Sequence, residues 1–368
     1  MSGSDAHRHM ARALQLARNG WYTARPNPRV GCVIVRAEQV VGEGWHSRAG
    51  EAHAEINALS AAGDMARGAT AYITLEPCNH QGRTGPCSRA LIAAGVSRVV
   101  YGMCDPNDTA GGGLQTLRDA GVEVIGPLLE DQAAALNPGF IKRYREKLPR
   151  VTLKVAISLD GRTAMADGAS RWVTGPEARR DVQRLRAQSA AVITGIGTVL
   201  QDNPAFTVRA SELDVPNAEE VAQLQPLRVV VDSALRTHAG LRILEPPGPV
   251  LLATARAHGM APVGAHVEVC ALPDGHGKVD LHRLLELLAS RGCNDVLVEA
   301  GAKLSGVFLL SGLVDEIVVY MAPRLLGSRA MPMAQLPFDG LDESIPLTIT
   351  DMRAVGKDWR ITALPGKQ

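Results

Sequence analysis

Two cysteines, Cys78 and Cys87, stand nine positions apart in LEPCNHQGRTGPC (75–87), and His53 lies 25 positions before the first of them, in EAHAEINAL. Two thiolates and an imidazole are the donor set of a catalytic zinc, which takes three protein ligands and keeps one position open for water. Glu55, two residues after His53, would reach the same site from the first turn of a helix without being a ligand. Zinc deaminases use this arrangement, an H-x-E segment plus two cysteines, with the glutamate moving protons for the activated water. The chemistry would be hydrolytic deamination: water attacks an amino-substituted ring carbon, Glu55 passes a proton to the leaving amine, and ammonia departs. With His80 as a fourth donor the same residues would instead make a closed, structural zinc, and Glu55 would have no task. Cys32, Cys104, Cys270 and Cys293 lack such company and read as buried or incidental.

The elements needed to position these residues are readable. Apolar residues recur at helical spacing from Ala6 to Ala17, and Asn19-Gly20 supplies the stop. VGCVIV (30–35) and QVVGEGWH (39–46) read as a hairpin. Helices over 53–63, 86–95 and 114–120 alternate with strands over 69–76, 96–102 and 122–126, the pattern of a mostly parallel α/β sheet. His53 and Cys87 then fall at helix N-termini, where the helix dipole favours the thiolate zinc requires. The segment 133–151 turns basic and polar and ends at Pro149, which puts a domain boundary near 147. A second α/β pattern follows, with strands over 151–158, 190–195, 227–233, 249–254, 295–301 and 315–323, and the polar stretch 210–226 reads as an insertion loop.

Composition narrows the function. A chain of 368 residues is long enough for two domains. A net charge of +1 and only 4% aromatic residues argue against the basic, stacking groove of a nucleic-acid deaminase. No apolar run approaches a membrane span and the N-terminus carries no export signal, so a cytoplasmic location is expected, with small molecules or further copies of the chain as partners. There a close cysteine pair holds metal more often than it forms a disulfide.

In the second half, DVLVEAGAKLSGVFL (295–309) and ITGIGTVLQDNPAFTVR (193–209) each read as a strand, a glycine turn and then a helix or polar loop. Backbone amides at such turns can hold phosphate, although GAKLSG does not fit G-x-G-x-x-G.

HAE, LEPCNHQGRTGPC and PNPRVGCVIV (26–35) together resemble the deaminase half of the bifunctional riboflavin-biosynthesis deaminase-reductases. The P-C-x8-C spacing separates this family from other deaminases, which carry P-C-x-x-C. The resemblance implies a cytidine-deaminase-like α/β/α sandwich over 1–147 with one Zn2+. It assigns the loop bearing His80, Gly82, Arg83 and Thr84 to the substrate, and puts Asn27, Asp105 and Asn107 near the pocket. Asn79 and Gly85 depart from the family's usual Ser and Pro.

KVAISLDGRTA (154–164), SRWVTG (170–175), GIGTVLQDNPAFTVR and VEAGAKLSGVFL resemble the reductase half of the same family. This implies a dihydrofolate-reductase-like α/β domain over 148–368 that uses NADPH. Ala156, Trp172, Thr198, Asp202, Ser233 and the turn Gly301, Ala302, Lys303, Leu304, Ser305, Gly306 and Val307 would line the cofactor site. Ser170, Arg186, Phe206, Arg209 and Glu299 would contact the substrate, with Phe206 replacing a usual Leu and the two arginines suited to a ribose phosphate. Lys154 suits an anion-binding role. Ser233 with Arg236 would recognise a 2′-phosphate, whereas Asp232 in an ordinary dinucleotide fold would favour NADH. The resemblance further implies pyrimidine ribonucleotide substrates and a homo-oligomer, a dimer or higher.

Overall fold

The computed structural model describes residues 3–80, 85–170, 172–256, 264 and 266–366. Gly82, Arg83 and Thr84 of the substrate loop lie outside the described residues. The chain divides into two compact units, Met1–Glu146 and Lys147–Gln368.

The first unit runs α1 (Gly3–Ala17), β1 (Gly31–Arg36), β2 (Gln39–Trp45), α2 (Ala54–Ala62), β3 (Thr70–Ile73), α3 (Cys87–Ala93), β4 (Arg98–Tyr101), α4 (Gly113–Asp119), β5 (Glu123–Ile125), α5 (Glu130–Leu136) and α6 (Pro138–Glu146). The sheet order is β2-β1-β3-β4-β5. It is mixed and not mostly parallel: β1 pairs antiparallel with both β2 and β3, and only β3-β4 and β4-β5 are parallel. The hairpin forces this, since its two-residue turn returns the chain in the opposite direction.

Helices cover both faces, and two glycines set how closely. A Cβ at Gly31 would run into the Ala13 carbonyl of α1, and one at Gly44 into the Ala54 carbonyl of α2. Close approach on both faces buries β1 from Gly31 to Val35 and β3 throughout, because side chains on successive strand residues point to opposite faces.

The second unit contains β6 (Arg150–Ser158), β7 (Arg162–Ala164), α7 (Pro176–Gln188), β8 (Ala191–Gly195), α8 (Ile196–Asp202), α9 (Ala218–Gln223), β9 (Leu227–Val231), β10 (Val250–Thr254), β11 (Val267–Ala271), α10 (Leu281–Ser290), β12 (Asp295–Val298), α11 (Ala302–Leu310), β13 (Glu316–Ala322), β14 (Met331–Pro332), β15 (Leu347–Val355) and β16 (Asp358–Pro365). The order β11-β10-β9-β8-β12-β6-β13-β16-β15 forms a nine-stranded sheet. It is parallel through β13, and the C-terminal hairpin adds two antiparallel strands at the edge.

Two cores flank this sheet. Ala191 and Ile193 join one and Val192 the other, as period-two alternation requires. Leu281, Leu284, Leu285 and Leu288 of α10 fill the first at helical spacing, behind an Asp280 cap that accepts from Arg283 N at 3.0 Å. Ala178, Val182 and Leu185 of α7 fill the second. Stretch 210–226 is not a plain loop: α9 forms there and buries Val221. Among the described residues no helix is long and apolar enough to cross a membrane.

Candidate active sites

The first site collects at the C-terminal end of β3 and the N-termini of α2 and α3. His53 is the extended N-cap of α2, Glu55 lies in its first turn, and Cys87 opens α3 after Pro86. Cys78 follows β3, and its carbonyl accepts from Ser88 N at 3.2 Å, which ties the two cysteine segments together. His53 Nδ1 lies 3.6 Å from Cys78 Sγ and 3.3 Å from Cys87 Sγ, and the three donor atoms all fall within 4.8 Å of one another. Nitrogen and sulfur ligands on one tetrahedral zinc stand about 3.5 Å apart, given the usual bond lengths, so the cluster fits that ion. His80 is exposed and outside the cluster.

The electrostatics suit a cation as well. Hydrogen bonding from Cys87 pulls the Cys78 thiol down to about 4, while Cys87 holds its proton far above the usual thiol range because Cys78 accepts it. Glu55 is buried beside them, and burial first, then the Cys78 thiolate, push its carboxyl up to about 7.

His46 and Glu76 were not singled out by the motifs. His46 donates from Nδ1 to the Ala52 carbonyl at 3.1 Å, accepts at Nε2 from Asn27 at 3.0 Å, and meets the His53 ring edge-on at 5.3 Å. Glu76 accepts from Gly112 N at 2.9 Å, Leu114 N at 3.3 Å and Asp105 N at 3.2 Å, anchoring the start of α4 and the loop after β4. A cavity of about 220 Å3 opens over the cluster, lined by Asn27, His46, Glu55, His80, Asp105 and Asn107 among others. The E of L-E-P-C was the available signal for Glu76, but its partners are 29 to 38 residues away.

The second site is a cavity of about 1300 Å3 in the other unit, at the C-terminal ends of the parallel strands. Ala156, Ser170, Trp172, Arg186, Thr198, Asp202, Phe206, Arg209, Glu299, Gly301, Ala302, Lys303 and Leu304 all line it, as do Lys154 and Arg236. Ser233, Ser305, Gly306 and Val307 do not. The Ser233 hydroxyl accepts from Val279 N at 3.2 Å. Gly306 lies against the Gln335 backbone, and Ser305 and Val307 project elsewhere on α11.

Arg186 donates from Nε to Glu299 Oε1 at 2.5 Å and from Nη2 to Oε2 at 3.0 Å, and Lys154 adds a contact at 3.4 Å. Against the burial that would raise it, the charges of Arg186 and Lys154 hold the Glu299 carboxyl at about 2. Phe206 stacks on the Arg186 guanidinium at 5.1 Å, and Ser170 Oγ donates to Asp202 at 3.1 Å.

The cavity also fits a dinucleotide. The adjacent parallel strands β8 and β12 lead into Gly195, the last residue of β8, and Gly301, three residues past β12; these are the N-caps of α8 and α11, with no side chain capping either helix. Both glycines line the cavity, and a Cβ at Gly301 would meet only Thr198 Oγ1, at 3.6 Å, so the uncapped helix starts could take a pyrophosphate there. Asp232, which could repel a 2′-phosphate, is fully buried and accepts from Thr237 N at 2.7 Å and Thr237 Oγ1 at 2.8 Å. Arg236 faces the cavity instead.

Residues 4–103 match the family described as the cytidine and deoxycytidylate deaminase zinc-binding region, and residues 149–361 match the RibD C-terminal domain. The chain is 49% identical over 355 residues to the riboflavin biosynthesis protein RibD of Escherichia coli (strain K12), covering 95% of this chain and 96% of that one. It is 37% identical to the protein of the same name from Bacillus amyloliquefaciens, over 97% and 95% of the two chains. Among known structures it resembles RibD of Acinetobacter baumannii, with a TM-score of 0.91, 43% identity and 99% coverage of both chains. A diaminohydroxyphosphoribosylaminopyrimidine deaminase/5-amino-6-(5-phosphoribosylamino)uracil reductase from Thermotoga maritima matches at a TM-score of 0.87 and 32% identity, again over 99% of both chains.

Proposed function

Since the chain belongs to the RibD family of bifunctional riboflavin-biosynthesis deaminase-reductases, we propose that residues 1–147 form its deaminase and residues 148–368 its reductase. The protein is a zinc-dependent hydrolase and an NADPH-dependent oxidoreductase. Its first substrate is 2,5-diamino-6-(5-phosphoribosylamino)pyrimidin-4(3H)-one and its second the deaminated product, 5-amino-6-(5-phosphoribosylamino)uracil, whose ribosyl group it reduces to ribityl.

His53, Cys78 and Cys87 hold the zinc, which when bound supplies the Lewis acidity that makes water nucleophilic near neutral pH. Glu55 takes the water's proton and delivers it to the leaving amine. The observation that carries this assignment is the approach of both sulfurs to His53 Nδ1 beside the buried carboxyl of Glu55. His46, fixed at both ring nitrogens, keeps the His53 ring in place. Asn27, Asp105 and Asn107 line the pocket where the pyrimidine's polar edge would sit.

NADPH supplies the reducing equivalent of the second step when bound. Ala156, Trp172, Thr198, Asp202 and Gly301 to Leu304 line its place, and Arg236 offers a positive charge to the 2′-phosphate. Ser170, Arg186, Phe206, Arg209 and Glu299 take the substrate, with Lys154 adding positive charge on the Glu299 side of the cavity. Ser233, Ser305, Gly306 and Val307 lie outside that lining, and Val307 is exposed. We propose a homo-oligomer, a dimer or higher, on the exposed Leu347, Ile349 and Met352 of edge strand β15, and a cytoplasmic location.

The test is a coupled assay with the diaminopyrimidine, following ammonia release and NADPH oxidation with and without a zinc chelator. Chelation should abolish ammonia release yet spare reduction of supplied deaminated product. Ammonia release from verified metal-free protein would overturn the deaminase assignment, and no NADPH oxidation with the deaminated product would overturn the reductase assignment.

A further inference from the structure

Arg209, Glu212 and Gln183 close a ring of hydrogen bonds on the wall of the larger cavity, and all three line it. Glu212 grips Arg209 side-on, receiving Nε at Oε1 and Nη2 at Oε2, both at 2.7 Å. Gln183, 1% exposed on α7, donates from Nε2 to Glu212 Oε2 at 3.1 Å and accepts at Oε1 from Arg209 N at 3.3 Å.

An arginine and a glutamate three residues apart on a surface usually form an ion pair of little energetic consequence. Two features separate this pair from that case. The carboxylate is itself fixed by a buried side chain from another element, so the ring joins α7 to the turn after Val208. The grip also spends only part of the guanidinium. Of its five N–H donors, Nε–H and one on Nη2 face Glu212, which leaves the end-on edge formed by Nη1 and the rest of Nη2. That edge can take two oxygens of one phosphate. Arg186, three positions along α7 from Gln183, is held by Glu299 with the same side-on grip.

We propose that Glu212, tied down by Gln183, is a positioning residue that sets specificity for a phosphorylated substrate by aiming the free edge of Arg209 into the reductase cavity. The inference rests on the reading of Arg209 as a substrate contact. Without Glu212 the arginine keeps its charge but samples many rotamers, and ordering it must then be charged against binding. The competing arrangement, in which Glu212 occupies Arg209 and must let go before phosphate binds, predicts the opposite sign.

The experiment uses the full-length holoenzyme and measures NADPH-dependent reduction of the phosphoribosyl substrate and of the same compound without its phosphate. For Glu212→Ala, KM for the phosphorylated compound should rise about fivefold to tenfold, the worth of one charge-assisted positioning bond, with kcat within about twofold. Glu212→Gln should fall between wild type and Glu212→Ala, and KM for NADPH and for the unphosphorylated compound should stay put. Arg209→Ala separates the two layers. If it leaves KM for the phosphorylated compound unchanged, the reading of Arg209 fails. If it raises that KM while Glu212→Ala leaves it unchanged or lowers it, the positioning role of Glu212 is overturned. Equal losses on both compounds would mark Glu212 as merely structural and overturn it too.

Discussion

Arg186 meets Glu299 with both ends of its fork, at 2.5 and 3.0 Å, and Glu299 is 6% exposed. The pair joins α7 to the end of β12 and so fixes one wall of the reductase cavity. A carboxyl whose folded value is depressed contributes stability that is fully present above its ordinary value of 4.5 and is lost as pH falls through about 2. In Arg186→Gln, burial dominates and the Glu299 carboxyl rises, so the loss should begin at higher pH. Removing one partner of a buried pair should also cost about 3 kcal/mol at neutral pH, near the low end of the range because Lys154 remains. Thermal unfolding midpoints between pH 3 and 7 check both; an unchanged pH profile would contradict the pairing.

Gly44 sets how closely β2 approaches α2. An alanine there would run into the Ala54 carbonyl, the start of the helix that carries His53 and Glu55. Gly44→Ala should cost roughly 1–3 kcal/mol through overpacking. It should lower deamination on the order of 100-fold by displacing α2, with NADPH oxidation on supplied product unchanged. Parallel loss of both activities would show that the effect is not local.

Glu76→Gln tests the carboxylate that anchors α4. Three N–H groups donate to it, and weakening these charge-assisted bonds should cost roughly 1.5–3 kcal/mol. Zinc content should be retained and KM for the diaminopyrimidine should rise, because Asp105 and Asn107 lie on the loop it holds. Metal analysis beside deaminase kinetics decides this, and loss of zinc would place Glu76 in the metal site instead.

Arg236→Ala should raise KM for NADPH on the order of tenfold, the worth of one hydrogen bond to a charged group, and leave KM for NADH unchanged. Asp232 is buried, accepts from Thr237 and does not line the cavity. Equal effects on both cofactors would remove Arg236 from the 2′-phosphate site.

The zinc donors were legible in the sequence because each sits on a short local signal: an H-x-E at a helix start, a P-C after a strand and a second P-C at the next helix start. His46 and Glu76 were not, since their roles exist only through Asn27, Ala52, Gly112 and Asp105, which the fold brings together. Strand positions in the reductase were readable from apolar runs, but the order of the nine-stranded sheet depends on crossovers that no local pattern encodes. No strand past 323 was legible: β15 shows only a short L-T-I-T alternation before Asp351, and most of it is exposed. Arg209 was legible as a candidate, while Gln183 and Glu212, which hold it, were not.

The most direct test of the central claim is Glu55→Gln in the full-length protein, with zinc content and both activities measured on one preparation. Zinc should remain at one per chain, ammonia release should fall roughly 100- to 10,000-fold, and NADPH oxidation on supplied deaminated product should be unchanged. A variant that keeps zinc and full deaminase activity would contradict the assignment of Glu55 as the proton carrier.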